Sequence, residues 1–159
     1  MEKKNLSEHF TLAEMTRTSV KGVDNTPTEE AVGNLTRLCR EWLEPLRLSY
    51  NLKYVVDIDY HYTPDQFEPV IVSSGYRSEA VNKAVGGVRT SNHLTGCAAD
   101  IRCTGVEQAL RYMCVLLDLS DRRQQTFDEL IMERKGSKYW IHLAARPKEN
   151  RRKLTFILK

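Results

Sequence analysis

Three strand-like runs close the chain: FDELIMER at 127–134, KYWIHLAA at 138–145 and KLTFILK at 153–159. They follow a first half patterned for helices. That segregation restricts the fold to an α+β arrangement, with N-terminal helices packed on a small antiparallel sheet. In the helical half, Thr28 can cap a run in which Val32, Leu35, Leu38, Cys39, Trp42, Leu43 and Leu46 recur at helical spacing. Pro45 is expected to kink or end it. Upstream, Ser7 is a candidate cap for a short helix in LSEHFTLAEM, with Phe10 and Met15 as apolar contacts. Residues 50–68 are aromatic and acidic with no single expected structure, and YVVDIDYHY at 54–62 partly alternates, as a strand pair with an edge would. Downstream, PVIVSSGYRS is a short strand ending in a Ser-Gly turn. SEAVNKAV is a helix capped by Ser78 and stopped by Gly86 and Gly87. CAADIRC reads as a buried strand and VEQALRYMCVLLDL as an amphipathic helix.

Length and charge narrow the classes. The 159 residues fit one domain spanning 1–159. A net charge of +3, with 21 acids against the Lys and Arg residues, argues against nucleic-acid binding. The basic run RPKENRRK reads as a solvated loop, with attraction to an anionic polymer such as a cell wall as the weaker alternative. No stretch is apolar for long enough to span a membrane. No apolar run follows the charged N-terminal residues, so the expectation is no secretory signal and a cytoplasmic location as synthesised. Cys39, Cys97, Cys103 and Cys114 contain no C-x-x-C pair and are expected to be free thiols. Cys39 and Cys114 fall in helical patterns as small core residues.

The stretch SNHLTGCAADI at 91–101 holds His93 and Asp100, separated by small residues. Catalytic zinc sites take three protein ligands and leave a fourth position for water. Of the four histidines, His9 lies near a helix start and reads as surface or cap, and His61 reads as packing. His93 and His142 remain. In YWIHLAA, strand alternation puts Trp140 and His142 on one face. If RKGSK forms a hairpin turn around Gly136 and Ser137, Glu133 lies opposite Trp140 and diagonal to His142, about 7–8 Å away at the backbone. A one-residue slip would send Glu133 to the other face. Glu129 shares its parity and is the fallback, while Asp128 falls on the opposite face. Taken singly, each of these residues is more often a packing group or a turn. Together, His93, Asp100, His142 and Glu133 make three ligands and one base, provided they converge in space.

The segments SSGYRSEAVNKAVGGVRTSNHLTGCAADI and FDELIMERKGSKYWIHLAAR closely resemble the zinc D-alanyl-D-alanine carboxypeptidase and phage endolysin peptidase family, which shares its fold with the Hedgehog signalling domain. The resemblance extends upstream to LSEHFTLAEM and NLTRLCREWLEPLR. The element S-x-H-x-x-G-x-A-x-D, here Ser91, His93, Gly96, Ala98 and Asp100, is specific, and W-x-H adds to it. The resemblance implies one zinc ion per chain held by His93, Asp100 and His142, with Glu133 as general base. It implies that Arg77 polarises the scissile carbonyl or holds a substrate carboxylate, and it puts Ser91, Tyr76 and Trp140 at the substrate. One departure is Tyr139, which stands three residues before the last histidine, where many members carry Glu or Asp. Cys97 also departs from the family pattern and is expected to point into the core.

The leading expectation is therefore a zinc metallopeptidase, of carboxypeptidase or endopeptidase type. Its partner would be a peptidoglycan peptide containing D-amino acids, and a monomer is the expected state. A small phage-type lysin released by a holin fits. The alternative is a non-catalytic, zinc-containing Hedgehog-like binding module.

Overall fold

Alternation along five strands decides which side of the sheet becomes core and which becomes cleft. The structure, a computed structural model, describes residues 4–159. The strands β1 (Val72–Ser74), β2 (Ala98–Cys103), β3 (Glu129–Lys135), β4 (Lys138–Ala144) and β5 (Lys153–Leu158) lie in the order β1-β2-β4-β3-β5. On one face Ala99, Ile101, Leu130, Met132, Ile141 and Leu143 are buried in the hydrophobic core. On the other face Asp100, Glu129, Ile131, Glu133, Trp140 and His142 line a cleft. Period-two patterning thus gives β2, β3 and β4 one apolar row and one row on the cleft, whereas β5 at the edge is largely exposed.

Helices α1 (Leu12–Met15), α2 (Glu29–Leu38), α3 (Glu44–Tyr54), α4 (Glu79–Ala84) and α5 (Val106–Arg123) accompany the sheet. The core between them contains Leu35, Leu38, Trp42, Leu46, Tyr112 and Leu116. Trp42 packs edge-on against Phe127 at 6.4 Å, and Tyr50 against Tyr112 at 4.7 Å. Thr28 caps α2 by accepting the Ala31 N–H, and Ser78 caps α4 by accepting that of Val81. All four cysteines are free thiols, and Cys97 is buried. Among the described residues no helix is long and apolar enough to cross a membrane.

The structure departs from the sequence reading in several places. Pro45 does not end the helix. A π-turn over Cys39–Leu43, in which Glu44 N–H donates to Cys39 O, places Pro45 in the first turn of α3, where its missing N–H is tolerated. The first short helix is capped by Thr11 rather than Ser7, because Thr11 and Glu14 form a reciprocal capping box. Ser7 instead donates to Glu44. Residues 56–63 form turns and coil rather than strands. Ile58 and Tyr60 are 65% and 75% exposed, so their alternation had no core to face. His61 is exposed as well, not packed. Cys114 is exposed because it shares the outward stripe of α5 with Leu110.

The sheet is mixed. β1, β2, β4 and β3 pair antiparallel, whereas β5 runs parallel to β3, with Glu129 beside Lys153 and Glu133 beside Ile157. The basic run before β5 is not a free solvated loop. Arg146 and Arg151 both bond Asp128, and Arg152 bonds Ser120 and Asp121 while lying over the Phe127 ring. These anchors fix the return of the chain to the far edge of β3.

Candidate metal centre

Asp100 and His142 face each other directly across β2 and β4. The antiparallel register alone sets their side chains on the cleft face, and His142 Nδ1 lies 2.9 Å from Asp100 Oδ1. His93 arrives from a different element, a 3-10 turn over Asn92–Thr95 between α4 and β2. Ser91 caps that turn by accepting the His93 N–H at 3.3 Å. Two glycines allow the approach. Gly96 ends the turn at φ +72°, and a Cβ there would meet Ala31 O at 2.4 Å. A Cβ on Gly75 would meet Met15 O at 2.3 Å. The Gly75 carbonyl accepts from His93 Nδ1 at 2.5 Å, which leaves Nε2 facing Asp100 Oδ1 at 3.3 Å.

The three donors, one each from His93, Asp100 and His142, lie within 4.8 Å of one another, and all three residues are buried. Two imidazoles and a carboxylate, fixed by neighbours at their remote atoms, are the donor set of a three-ligand divalent cation. This group could hold a metal ion. It forms the floor of a cleft of about 900 Å³.

Charge around the floor is closely paired. Arg77 donates through Nη2 to Asp100 Oδ2 at 2.5 Å and through Nε to Ser74 Oγ at 2.8 Å. Burial alone would raise the Asp100 carboxyl, but His93 and His142 hold it far below the usual carboxylate range. Burial would likewise lower His142. Its hydrogen bonds to Asp100 and Glu129 prevail and push it up to about 9.

The hairpin register places Ile131 opposite His142 and Glu133 opposite Trp140. His142 therefore stands between two diagonal glutamates, and their surroundings differ. Glu129 Oε2 lies 3.3 Å from His142 Nε2, and Arg151 and Lys153 flank its other oxygen at 3.2 and 3.6 Å. The His142 hydrogen bond and these cations hold Glu129 down to about 2 despite partial burial. Glu133 is half-buried. Desolvation and the negative charge of Asp100 raise its carboxyl, outweighing His142, Trp140 and Arg77.

Arg77, Ser91, Trp140 and Glu133 line the cleft with the three donors. Tyr76 does not. It is buried in the hydrophobic core, and its N–H donates to Met15 O. Adjacent to Arg77 in sequence, it falls on the inward side of the turn.

Sequence reasoning set Asp128 aside on the opposite face of its strand and missed its role as an anchor. Fully buried, it accepts from Asn92, Arg146 and Arg151. Burial would raise its carboxyl, yet Arg151 and Asn92 hold it far below the usual range. The clue available was the basic run downstream, which needed a buried acid as partner.

A family model described as Peptidase M15 matches residues 8–144. No curated protein matches the chain.

Proposed function

Because the chain belongs to the peptidase M15 family, we propose that it is a zinc metallopeptidase, one domain over residues 1–159, that hydrolyses peptide bonds in the D-amino-acid-containing stem or cross-link peptides of bacterial peptidoglycan. The observation that carries this reading is the convergence of His93, Asp100 and His142 on the cleft floor. These three would hold one zinc ion. The chemistry zinc supplies at such a site is Lewis acidity towards water and towards a peptide carbonyl.

Glu133 is the general base. It takes a proton from the attacking water and returns it to the leaving amine. Support comes from the contrast between the two glutamates flanking His142. Glu129 is engaged and held low, whereas Glu133 is desolvated and raised. Carboxyl groups pushed apart in this way take different roles. Arg77 holds Asp100 in place and brings positive charge to the cleft wall, where it offsets charge developing on the carbonyl oxygen. Trp140 and Ser91 flank the peptide.

Metal analysis combined with peptidoglycan digestion tests the proposal. We expect one zinc per chain and release of free amines that stops when a chelator is added. A metal-bearing protein that releases no amines from any peptidoglycan would support the non-catalytic binding module instead. Release that survives complete metal removal would overturn the zinc mechanism.

A further inference from the structure

His142 lies between two carboxylates. Its Nδ1 faces Asp100 Oδ1 at 2.9 Å and its Nε2 faces Glu129 Oε2 at 3.3 Å. Both carboxylates can only accept; a cation shared with Asp100, itself one of the three donors, would take the place of the Nδ1 proton, while the Nε2 proton stays facing Glu129. Glu129 is itself restrained from three directions. Asn92 Nδ2 donates to Oε2 at 3.3 Å, and Arg151 and Lys153 lie against Oε1 at 3.2 and 3.6 Å. Asn92 is the residue before His93, so one glutamate ties together the elements that carry both histidines.

Arg151 and Lys153 lie beyond residue 144, where the family match ends. The segment after β4 supplies them, and β5 pairs Lys153 beside Glu129 in register. Asp128, the immediate neighbour, anchors Arg151 through both of its oxygens.

We propose that Glu129 is a positioning residue for the metal centre, fixing the ring orientation and proton location of His142, and that the C-terminal segment, through Arg151 and Lys153, holds Glu129 in that role. The proposal rests on the zinc reading above. Hydrogen-bond partners of metal-bound histidines commonly affect metal affinity by roughly 10–100-fold, and Glu129 is placed to act as one.

Two measurements test it. In the zinc-loaded wild-type protein, nitrogen-15 NMR of the histidine rings should show His142 protonated at Nε2 and bound through Nδ1. The protonated Nε2 should exchange slowly with water. In chelator competition, Glu129→Leu should lower zinc affinity by roughly 10–100-fold, and Arg151→Ala should lower it by a smaller factor in the same direction. A His142 bound through Nε2, or wild-type affinity in Glu129→Leu, overturns the proposal. The wild-type spectrum decides the matter even if Glu129→Leu fails to fold. A wild-type protein that takes up no zinc overturns the metal reading itself, which is a separate result.

Discussion

Replacing Glu133 by Gln separates base chemistry from metal binding. The side chain keeps its size, and Glu133 is outside the donor set of His93, Asp100 and His142. Zinc content should therefore match wild type. Turnover should fall by about 10²–10⁴, the usual contribution of a positioned general base. At about 1.36 kcal/mol per decade, that corresponds to roughly 2.7–5.4 kcal/mol of barrier. Two further consequences come from the raised carboxyl of Glu133. First, wild-type kcat/KM should show an acid limb, because activity is lost as pH falls and the base becomes protonated. Glu133→Gln should lack that limb. Second, the native state binds this proton more tightly than the unfolded chain. Stability is therefore lost as pH rises through the titration, and Glu133→Gln should melt at or above the wild-type temperature at neutral pH. Steady-state kinetics on cross-linked stem peptides, metal analysis and thermal melts read all three. Turnover within tenfold of wild type, at full zinc occupancy, would refute the assignment.

His93→Ala and His142→Ala should each lower bound zinc well below one equivalent and abolish amine release, measured by metal analysis of the dialysed protein; a full equivalent in both would refute the ligand set. Asp128→Ala removes the anchor of Arg146 and Arg151; both arginines reach solvent, so we expect a loss of about 1–3 kcal/mol rather than that of a fully buried pair. Because the Asp128 carboxyl is held low, its stabilisation is present above the ordinary carboxylate range and lost only as pH falls through the lower native value, so acid denaturation of wild type and Asp128→Ala should converge at low pH. Gly96→Ala combines φ +72° with a contact at 2.4 Å and should move the His93 turn, read as weaker zinc binding with the remaining fold intact by circular dichroism.

Legibility followed locality. The shared face of Trp140 and His142 was readable because strand alternation needs no knowledge of distant chain, and the conditional placement of Glu133 opposite Trp140 rested on the short turn at Gly136; the pairing of Asp100 with His142 across β2 and β4 was not legible from alternation. Alternation also misled where no neighbouring sheet existed, as in residues 56–63, because period two has meaning only when one side is covered. Helical spacing located α5 but not which stripe faced inward, and Cys114 fell on the solvent side. Tyr76 shows the same limit in a turn, where no periodicity says which of two adjacent side chains enters the cleft.

The two glutamates on β3 show what register can and cannot decide. Both lie diagonal to His142 at equal sequence distance from Ile131, so the hairpin treats them as equivalents. What distinguishes them begins at His142, whose Nε2 meets Glu129, and is reinforced from outside the hairpin. β5 runs parallel to β3 and brings Lys153 beside Glu129 but Ile157 beside Glu133. The His142 hydrogen bond, with the nearby cations adding to it, holds Glu129 low, whereas burial and the charge of Asp100 raise Glu133, so their proton affinities move in opposite directions. A parallel pairing requires the chain to cross back after β4, and no local pattern announces it. The crossing depends on Arg146 and Arg151 seating on the buried Asp128. A basic loop and a buried acid, each unremarkable alone in sequence, thus bring cations to Glu129 and none to Glu133, a difference the proposed mechanism uses in assigning Glu133 as the base.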